Sequence, residues 1–200
     1  MLTIACVNVN NYQGYGKEYV RKLHAMVKKN LHQPFSFECI KESDKISWWA
    51  KIDLFKPGRF SGRILYIDLD SVITGSLDEL VEHKGIIDFR DWAKIVINDP
   101  FPPKLVPNVV NCLSGVMLWD AGEHEEIYTK YSVDVPKQFK GDQDWMQYLG
   151  GWKAIPPGMV FYYRKHCVDF IPKDCRICCM GGYPKPHEIY TGWVPEYWID

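Results

Sequence analysis

Residues 62–80, GRILYIDLDSVITGSLDEL, place the strongest constraint on how this chain can fold. The run RILYIDL within them is apolar at successive positions rather than at alternate ones. Such a strand is buried on both faces, which is typical of a sheet whose faces are covered by helices. The segment therefore predicts an inner strand that ends at two aspartates, Asp68 and Asp70.

Apolar patterns elsewhere predict strands and helices that alternate along the chain. The runs LTIACVNV, FSFECI and GVMLW predict three further strands. Apolar residues at helical spacing predict a helix from Lys17 to Leu31, and SWWAKIDLF and DQDWMQYLG predict two more. Ser76 and Glu79 have capping-box spacing, which predicts a short helix. The last third is rich in Pro, Gly and aromatic residues, and we expect irregular structure there.

This alternation predicts an α/β fold with a mainly parallel mixed sheet flanked by helices. No long Gly-, Ser- or Pro-rich linker divides the sequence, so we expect one domain spanning residues 1–200. In open α/β sheets, ligands bind beyond the carboxyl ends of the strands. The two aspartates are therefore expected at the rim of a binding cleft.

Charge and hydropathy exclude several classes of partner. The formal net charge of −1 does not favour non-specific binding to nucleic acid or anionic membranes. No apolar run approaches the roughly 20 residues of a transmembrane helix. The first residues lack the basic start and cleavage site of a signal peptide, so we expect a cytoplasmic protein.

The seven cysteines are odd in number and irregularly spaced, which favours reduced thiols over a disulfide framework. Cys175 and Cys178 form one C-x-x-C pair. A structural zinc site usually takes its four ligands from two such pairs, and the sequence contains no second one.

The spacing of Asp68 and Asp70 indicates a metal site. Side chains two residues apart in a continuing strand point the same way, and two close carboxylates repel each other unless a cation lies beside them. Carboxylate oxygens suit Mn²⁺ or Mg²⁺, and such an ion keeps positions open for substrate phosphates. The alternative interpretation is a surface turn rich in aspartate.

Several stretches, in order, resemble the GT-A-fold glycosyltransferases, specifically the glycogenin-like group and its short bacterial and viral relatives. ILYIDLDSVITGSLDEL resembles their Asp-x-Asp segment, and WWAKIDLF the helix before it. LSGVMLWDAG resembles their Asn-Ser-Gly-Val strand, GDQDWMQYL their Gly-Asp-Gln segment, and GGYPKPHE their Gly-x-x-Lys-Pro motif. ACVNVNNYQGY stands where that family binds the base and ribose.

The resemblance implies transfer of a sugar from a nucleotide-sugar, most simply a uridine diphosphate (UDP) sugar, with Mn²⁺ or Mg²⁺ and with retention of the anomeric configuration. It implies a nucleotide-binding part at about residues 1–75 and a sugar and acceptor part at about 76–200. The acceptor, whether a glycan, a protein or a small molecule, stays open. The implied metal ligands are Asp68 and Asp70.

The same resemblance assigns the remaining site residues. Those implied near the transferred sugar and its chemistry are Asp142, Gln143 and Asp144. Those implied in nucleotide-sugar binding, beside the two metal aspartates, are Val7, Asn8, Val9, Tyr15, Lys51, Leu69, Ser114, Gly115, Gly182 and Lys185.

Two positions depart from the family pattern. A histidine that usually supplies a third metal ligand falls here on Cys179 or Gly181, and manganese does not favour a thiol. The Asn of Asn-Ser-Gly is Leu113, although Asn111 is close.

Local interpretations without a ligand remain open for several residues. Asp142 could be the N-cap of the helix that follows it, and Lys51 could be a solvated lysine. Lys185, between two prolines, is expected in a rigid extended segment with an exposed side chain. The aromatic pairs at 48–49 and 162–163 could be packing or could stack against a sugar.

Two other functions compete with transfer. The sequence DLDSV also resembles the nucleophile motif of haloacid-dehalogenase phosphatases, but about a third of the chain precedes it and LTIACVNV comes first. The second is a non-catalytic module that binds a nucleotide-sugar without turnover, which the missing histidine would favour.

Overall fold

The computed structural model describes residues 1–9, 14–88 and 110–200. Its strands are β1 Leu2–Val7, β2 Phe35–Ile40, β3 Arg63–Ile67, β4 Ser71–Ile73, β5 Gly85–Asp88, β6 Cys112–Asp120, β7 Val160–Tyr162 and β8 Ile177–Cys179. Its α-helices are α1 Lys17–Asn30, α2 Glu126–Thr129, α3 Val135–Gln138, α4 Asp142–Leu149 and α5 Val194–Tyr197. Short 3₁₀ helices span Ser47–Phe55, Leu80–Glu82 and Pro186–Glu188, and a π-helical turn spans Tyr163–Cys167.

The larger sheet has the strand order β2-β1-β3-β6-β5. Strand β1 pairs in parallel with β2 and β3, whereas β6 is antiparallel to both of its neighbours, β3 and β5. All of its strands except β6 therefore run in one direction. The predicted mainly parallel mixed sheet is confirmed.

Both faces of this sheet are buried, as the unbroken apolar runs predict. On one face Ile4 and Leu65 pack in a cluster with Leu23 of helix α1. On the other face Ile64 packs in a cluster with Ile52 of the 3₁₀ helix Ser47–Phe55. Each such side chain contributes roughly 1.5–3 kcal/mol when removed from water, so the two clusters hold in place strand β3, which ends immediately before Asp68.

Strand β3 ends one residue before Asp68, where the chain turns. The N–H of Ser71 donates to the carbonyl of Asp68 at 3.1 Å. The chain then enters β4, which belongs to a second sheet of order β4-β8-β7. The expectation that the last third is irregular is therefore wrong in part, because β7 and β8 form this sheet.

Two local expectations differ from the structure. The segment SWWAKIDLF is helical, but as a 3₁₀ helix. The capping box of Ser76 and Glu79 is absent, because Ser76 Oγ instead donates to the carboxylate of Asp78 and accepts from its N–H. The short helix begins later, at Leu80. Among the described residues, no helix is long and apolar enough to cross a membrane.

Candidate active site

Two adjoining cavities lie at the carboxyl ends of β1 and β3. The larger holds about 570 Å³ and the smaller about 90 Å³. Trp48, Lys51 and Asp68 line both of them. The position is where ligands bind in open α/β sheets, and the shared residues mark the place where one ligand could extend from one cavity into the other.

Lys51 and Asp68 form the charged boundary between the cavities. Lys51 Nζ lies 2.8 Å from Asp68 Oδ1 and 3.1 Å from Oδ2, and it also donates to Ser114 Oγ at 3.2 Å. Tyr66 OH donates a short hydrogen bond to Asp68 Oδ1. Burial raises the pKa of Asp68, Lys51 opposes that shift, and the charge of Asp70 adds to it.

The Lys51 ammonium is held in its charged form. Burial by itself would lower the pKa of Lys51, but the carboxylates of Asp68 and Asp142 outweigh it and raise this pKa. The side chain is only 12% exposed. Lys51 is therefore a fixed cation in the cavity wall rather than a solvated surface lysine.

Asp70 lies in a different environment from Asp68. Its Oδ2 accepts hydrogen bonds from Lys185 Nζ at 2.6 Å and from Tyr15 OH at 2.8 Å. Because the strand stops at Ile67, the two aspartates do not extend one row of a continuing strand, and each is paired with its own lysine. The expectation of an exposed Lys185 is wrong, because it is 5% exposed.

Asp142 carries an unsatisfied carboxylate oxygen. It is the first residue of α4, and Gly141, not Asp142, occupies the N-cap position, so the capping interpretation is wrong. Its side chain is buried, its Oδ2 has no hydrogen-bond partner among the described residues, and this oxygen lies 3.8 Å from Lys51 Nζ. A buried acceptor without a hydrogen bond costs about 1–3 kcal/mol of stability. A bound ligand that donates a hydrogen bond to this oxygen would remove that cost.

The remaining wall of the larger cavity comes from α4, β6 and the second sheet. Gln143 and Asp144 are exposed and line it, as do Ser114 and Gly115 of β6. At Gly115 a Cβ would lie 3.4 Å from Cys179 Sγ and 3.5 Å from Asp68 Oδ2, so the missing side chain leaves this part of the cavity open.

Both candidate positions for the missing histidine, Cys179 and Gly181, also line the larger cavity. Leu113 lines it where the family has Asn. Asn111 is buried, and its N–H donates to Asp88 Oδ1 at 3.3 Å.

The smaller cavity collects the residues expected to bind the base and ribose. It is lined by Val7, Asn8, Val9, Tyr15 and Leu69, together with Tyr66 and Ser47. The Oδ1 atom of Asn8 is buried and accepts no hydrogen bond from the part of the chain that the structure describes. Residues 10–13 of the same predicted segment lie outside the described residues.

Gly182 belongs to the neighbouring loop. Its φ of 79° lies in the left-handed region, and a Cβ there would lie 2.8 Å from Arg164 Nη2. Arg164 Nε donates to Tyr162 OH at 2.6 Å, and Tyr162 lines the larger cavity. Gly182 thus lies near the cavity rim, beside a cation that the sequence reasoning did not identify.

Sequence reasoning also missed two tyrosine hydroxyls that hold the aspartates. Tyr66 lies two residues before Asp68, so the strand period already places both side chains on one side. Tyr15 was expected only as part of the base site, and no local pattern links it to Asp70, 55 residues away.

The residues present fit a hard divalent cation with few protein ligands. Asp68 and Asp70 offer carboxylate oxygens, which Mn²⁺ and Mg²⁺ favour. Burial and the two carboxylates raise the pKa of Cys179, so its thiol stays protonated. Within residues 1–9, 14–88 and 110–200, no group of three or more His, Cys, Asp or Glu is placed to hold a metal ion. Ligand and water oxygens would have to complete the coordination.

The cysteines of the CRICC segment lie in the core. Cys175, Cys178 and Cys167 are buried together there, and all seven cysteines of the chain are free thiols, as predicted.

Comparison of sequences finds no relative: no protein-family model matches the chain, and no curated protein matches it.

Solved structures nevertheless share the fold. A structure of the galactosyltransferase LgtC in complex with donor and acceptor sugar analogues matches with a TM-score of 0.57 at 15% identity, over 92% of this chain and 88% of LgtC. An active-site variant of LgtC matches with 0.62 at 13%, over 97% and 92%. The glycosyltransferase GlyE of Streptococcus pneumoniae TIGR4 matches with 0.67 at 14%, over 99% of this chain and 60% of GlyE. The chain therefore has the GT-A-type glycosyltransferase fold.

Proposed function

We propose that this chain is a glycosyltransferase of the glycogenin-like group, which moves a sugar from a UDP-sugar to an acceptor. The observation that carries the proposal is the pair of adjoining cavities that share Lys51 and Asp68, with the unpartnered oxygen of Asp142 beside them. A nucleoside in the smaller cavity and a sugar in the larger one would put the diphosphate at the shared residues. LgtC, which has this fold, was solved with donor and acceptor sugar analogues.

The reaction breaks the bond between the anomeric carbon and the diphosphate oxygen, so that UDP leaves, and it forms a bond between that carbon and an acceptor hydroxyl oxygen, which gives up its proton. Negative charge then grows on the leaving phosphate, and a preorganised cation beside it lowers the barrier. Lys51 is such a cation, since its ammonium is fixed by Asp68 and Ser114. Lys185 is a second candidate, and it would have to turn from Asp70 towards the phosphates to act.

The transferred sugar would be oriented by the start of helix α4. Asp142 Oδ2 can accept a hydrogen bond from a sugar hydroxyl, and Gln143 and Asp144 line the same cavity. Fixed orientation of the reacting carbon is a large part of the rate enhancement in such reactions. We propose retention of the anomeric configuration, as the resemblance to the glycogenin-like group implies.

Asp68 and Asp70 are proposed to hold a manganese or magnesium ion together with the diphosphate and water. A bound ion of this kind supplies positive charge next to the diphosphate oxygens. With only two carboxylates from the chain, we expect the ion to bind weakly in the absence of the nucleotide.

A non-catalytic nucleotide-sugar-binding module is the second candidate. The observation that favours it is that Cys179, whose sulfur manganese does not favour, lines the larger cavity at a position where the family supplies a metal-binding histidine. This alternative keeps both cavities and their ligand but predicts no turnover.

Release of UDP from UDP-glucose and UDP-galactose in the presence of Mn²⁺ tests the proposal directly. The wild-type protein should release UDP as it transfers the sugar to water or to an added sugar acceptor, and Asp142→Asn should release far less UDP while still binding it. Binding without release would support the non-catalytic module. Release of phosphate from p-nitrophenyl phosphate, with no UDP release, would support a phosphatase.

A further inference from the structure

Tyr15 joins the smaller cavity to the aspartate that the sequence analysis predicts as a metal ligand. Its side chain lines that cavity, and its OH donates to Asp70 Oδ2 at 2.8 Å. The residue is 8% exposed. Its ring therefore faces the proposed nucleoside site while its hydroxyl belongs to the site of the second carboxylate.

Neighbouring side chains hold the Tyr15 ring in a fixed place. The ring stacks on Tyr19 with centroids 4.5 Å apart and 28° between the planes. Lys185 Nζ lies 5.2 Å from the centroid of the same ring, which places both donors to Asp70 in one packed unit.

Both donors approach the same oxygen of Asp70. Tyr15 and Lys185 bond Oδ2, and no described residue donates to Oδ1. The Tyr15 hydroxyl therefore orients the carboxylate without covering its second oxygen. Outer hydrogen bonds of this kind orient metal-binding carboxylates, and their loss typically lowers metal affinity about 10- to 100-fold.

We propose that Tyr15 is a positioning residue that couples nucleoside binding to divalent-metal binding through Asp70. The inference rests on the proposed function. A base or ribose packed against the ring limits its movement, and so holds the hydroxyl that orients Asp70. The nucleoside should then tighten the metal even when no phosphate bridges the two, and by linkage the metal should tighten the nucleoside by the same factor.

Calorimetric titration of Mn²⁺ into the protein, with and without saturating uridine, measures this coupling, because uridine has no phosphate that could bridge to the ion. For the wild-type protein, uridine should tighten Mn²⁺ about fivefold or more, the lower range of such couplings. Tyr15→Phe keeps the ring and removes the hydroxyl. In the absence of uridine, this variant should bind Mn²⁺ about tenfold or more weakly than the wild-type protein does. Uridine should then no longer change its Mn²⁺ affinity.

Tyr19→Phe is the matched control. Tyr19 stacks on Tyr15, but its own hydroxyl bonds His187 rather than Asp70, so this variant should keep the wild-type coupling. Melting midpoints of both variants separate loss of coupling from loss of folding.

Two results would overturn the proposal. The first is that uridine leaves the Mn²⁺ affinity of the wild-type protein unchanged, whether or not uridine binds. The second is that uridine still tightens Mn²⁺ binding in Tyr15→Phe. A parallel titration with UDP separates the two claims. If UDP binds with Mn²⁺ but uridine does not affect the metal, only the coupling fails; if UDP does not bind either, the proposed function fails with it.

Discussion

Two lysine–aspartate pairs lie next to each other in this molecule and differ in their position relative to the cavities, in side-chain exposure and in number of partners. Lys51 and Asp68 line both cavities, and the Asp68 side chain is 29% exposed. Lys185 and Asp70 line neither cavity, and their side chains are 6% and 9% exposed. The first pair faces a space that could hold a ligand, whereas the second is largely buried and, among the described residues, leaves only the Oδ1 oxygen of Asp70 without a donor.

The number of partners differs as well. Lys51 contacts Asp68 and Ser114 and lies near Asp142, so several acceptors hold its ammonium at the boundary of the cavities. Lys185 bonds one carboxylate oxygen in a buried place. We infer that Lys51 acts mainly on the ligand, while Lys185 in the free protein mainly neutralises Asp70.

The largest effect on folding is expected from Lys185. Lys185→Met removes one partner of a buried ion pair and leaves the charge of Asp70 without its lysine at a largely buried position, which typically costs about 3–5 kcal/mol of unfolding free energy. Urea denaturation measures it. Lys51→Met is the control and should cost clearly less, since Asp68 can reach water. Equal losses in the two variants would contradict the distinction between the pairs.

The next effect concerns the affinity for UDP, which should fall more on removal of Lys51 than on removal of Lys185, the reverse of the order expected for stability. Lys51→Ala removes a cation from the shared boundary of the cavities, and we expect UDP binding to weaken by about 1–3 kcal/mol, the range for a charge-assisted hydrogen bond. Calorimetry of UDP binding with Mn²⁺ measures it. Unchanged affinity in a folded Lys51→Ala protein would remove this lysine from the diphosphate site.

The smallest effect on folding is expected at Asp142. Asp142→Asn replaces a buried carboxylate whose Oδ2 has no hydrogen-bond donor among the described residues, and it loses only the 3.8 Å ion pair with Lys51, so the unfolding free energy should change by no more than about 1 kcal/mol. UDP release should fall in the same protein. Asp144→Asn is the control, because Asp144 is exposed and a surface substitution usually changes stability within about 0.5 kcal/mol. A marked loss of stability in Asp142→Asn would show that its charge supports the fold.

The sequence predicted the larger sheet better than the smaller one. The strand FSFECI and helix α1 were predicted almost to the residue, because apolar spacing carries that information locally. Strands β4 and β8 have three residues each, and the pair Ser71–Cys179 joins positions far apart in the chain. Strands this short show no periodicity, so only tertiary contacts define them.

The candidate site also has a part that the sequence predicted and a part that it did not. Lys51, Asp68 and Asp142 come together as the resemblance implied. The prediction of an exposed Lys185 side chain was wrong. Its burial depends on the packing of the C-terminal segment against Asp70, which no local sequence pattern encodes. The bond between Tyr15 and Asp70 is of the same long-range kind.

Calorimetric titration of Mn²⁺ with and without UDP tests the central claim, that two carboxylates of this chain and a diphosphate hold one ion together. We expect weak Mn²⁺ binding to the free protein, tightened about tenfold or more by UDP, with Mn²⁺ tightening UDP by the same factor. Asp70→Ala should abolish the mutual effect. Tight Mn²⁺ binding to the nucleotide-free protein that survives Asp70→Ala, or UDP binding equally strong in chelator, would contradict the claim.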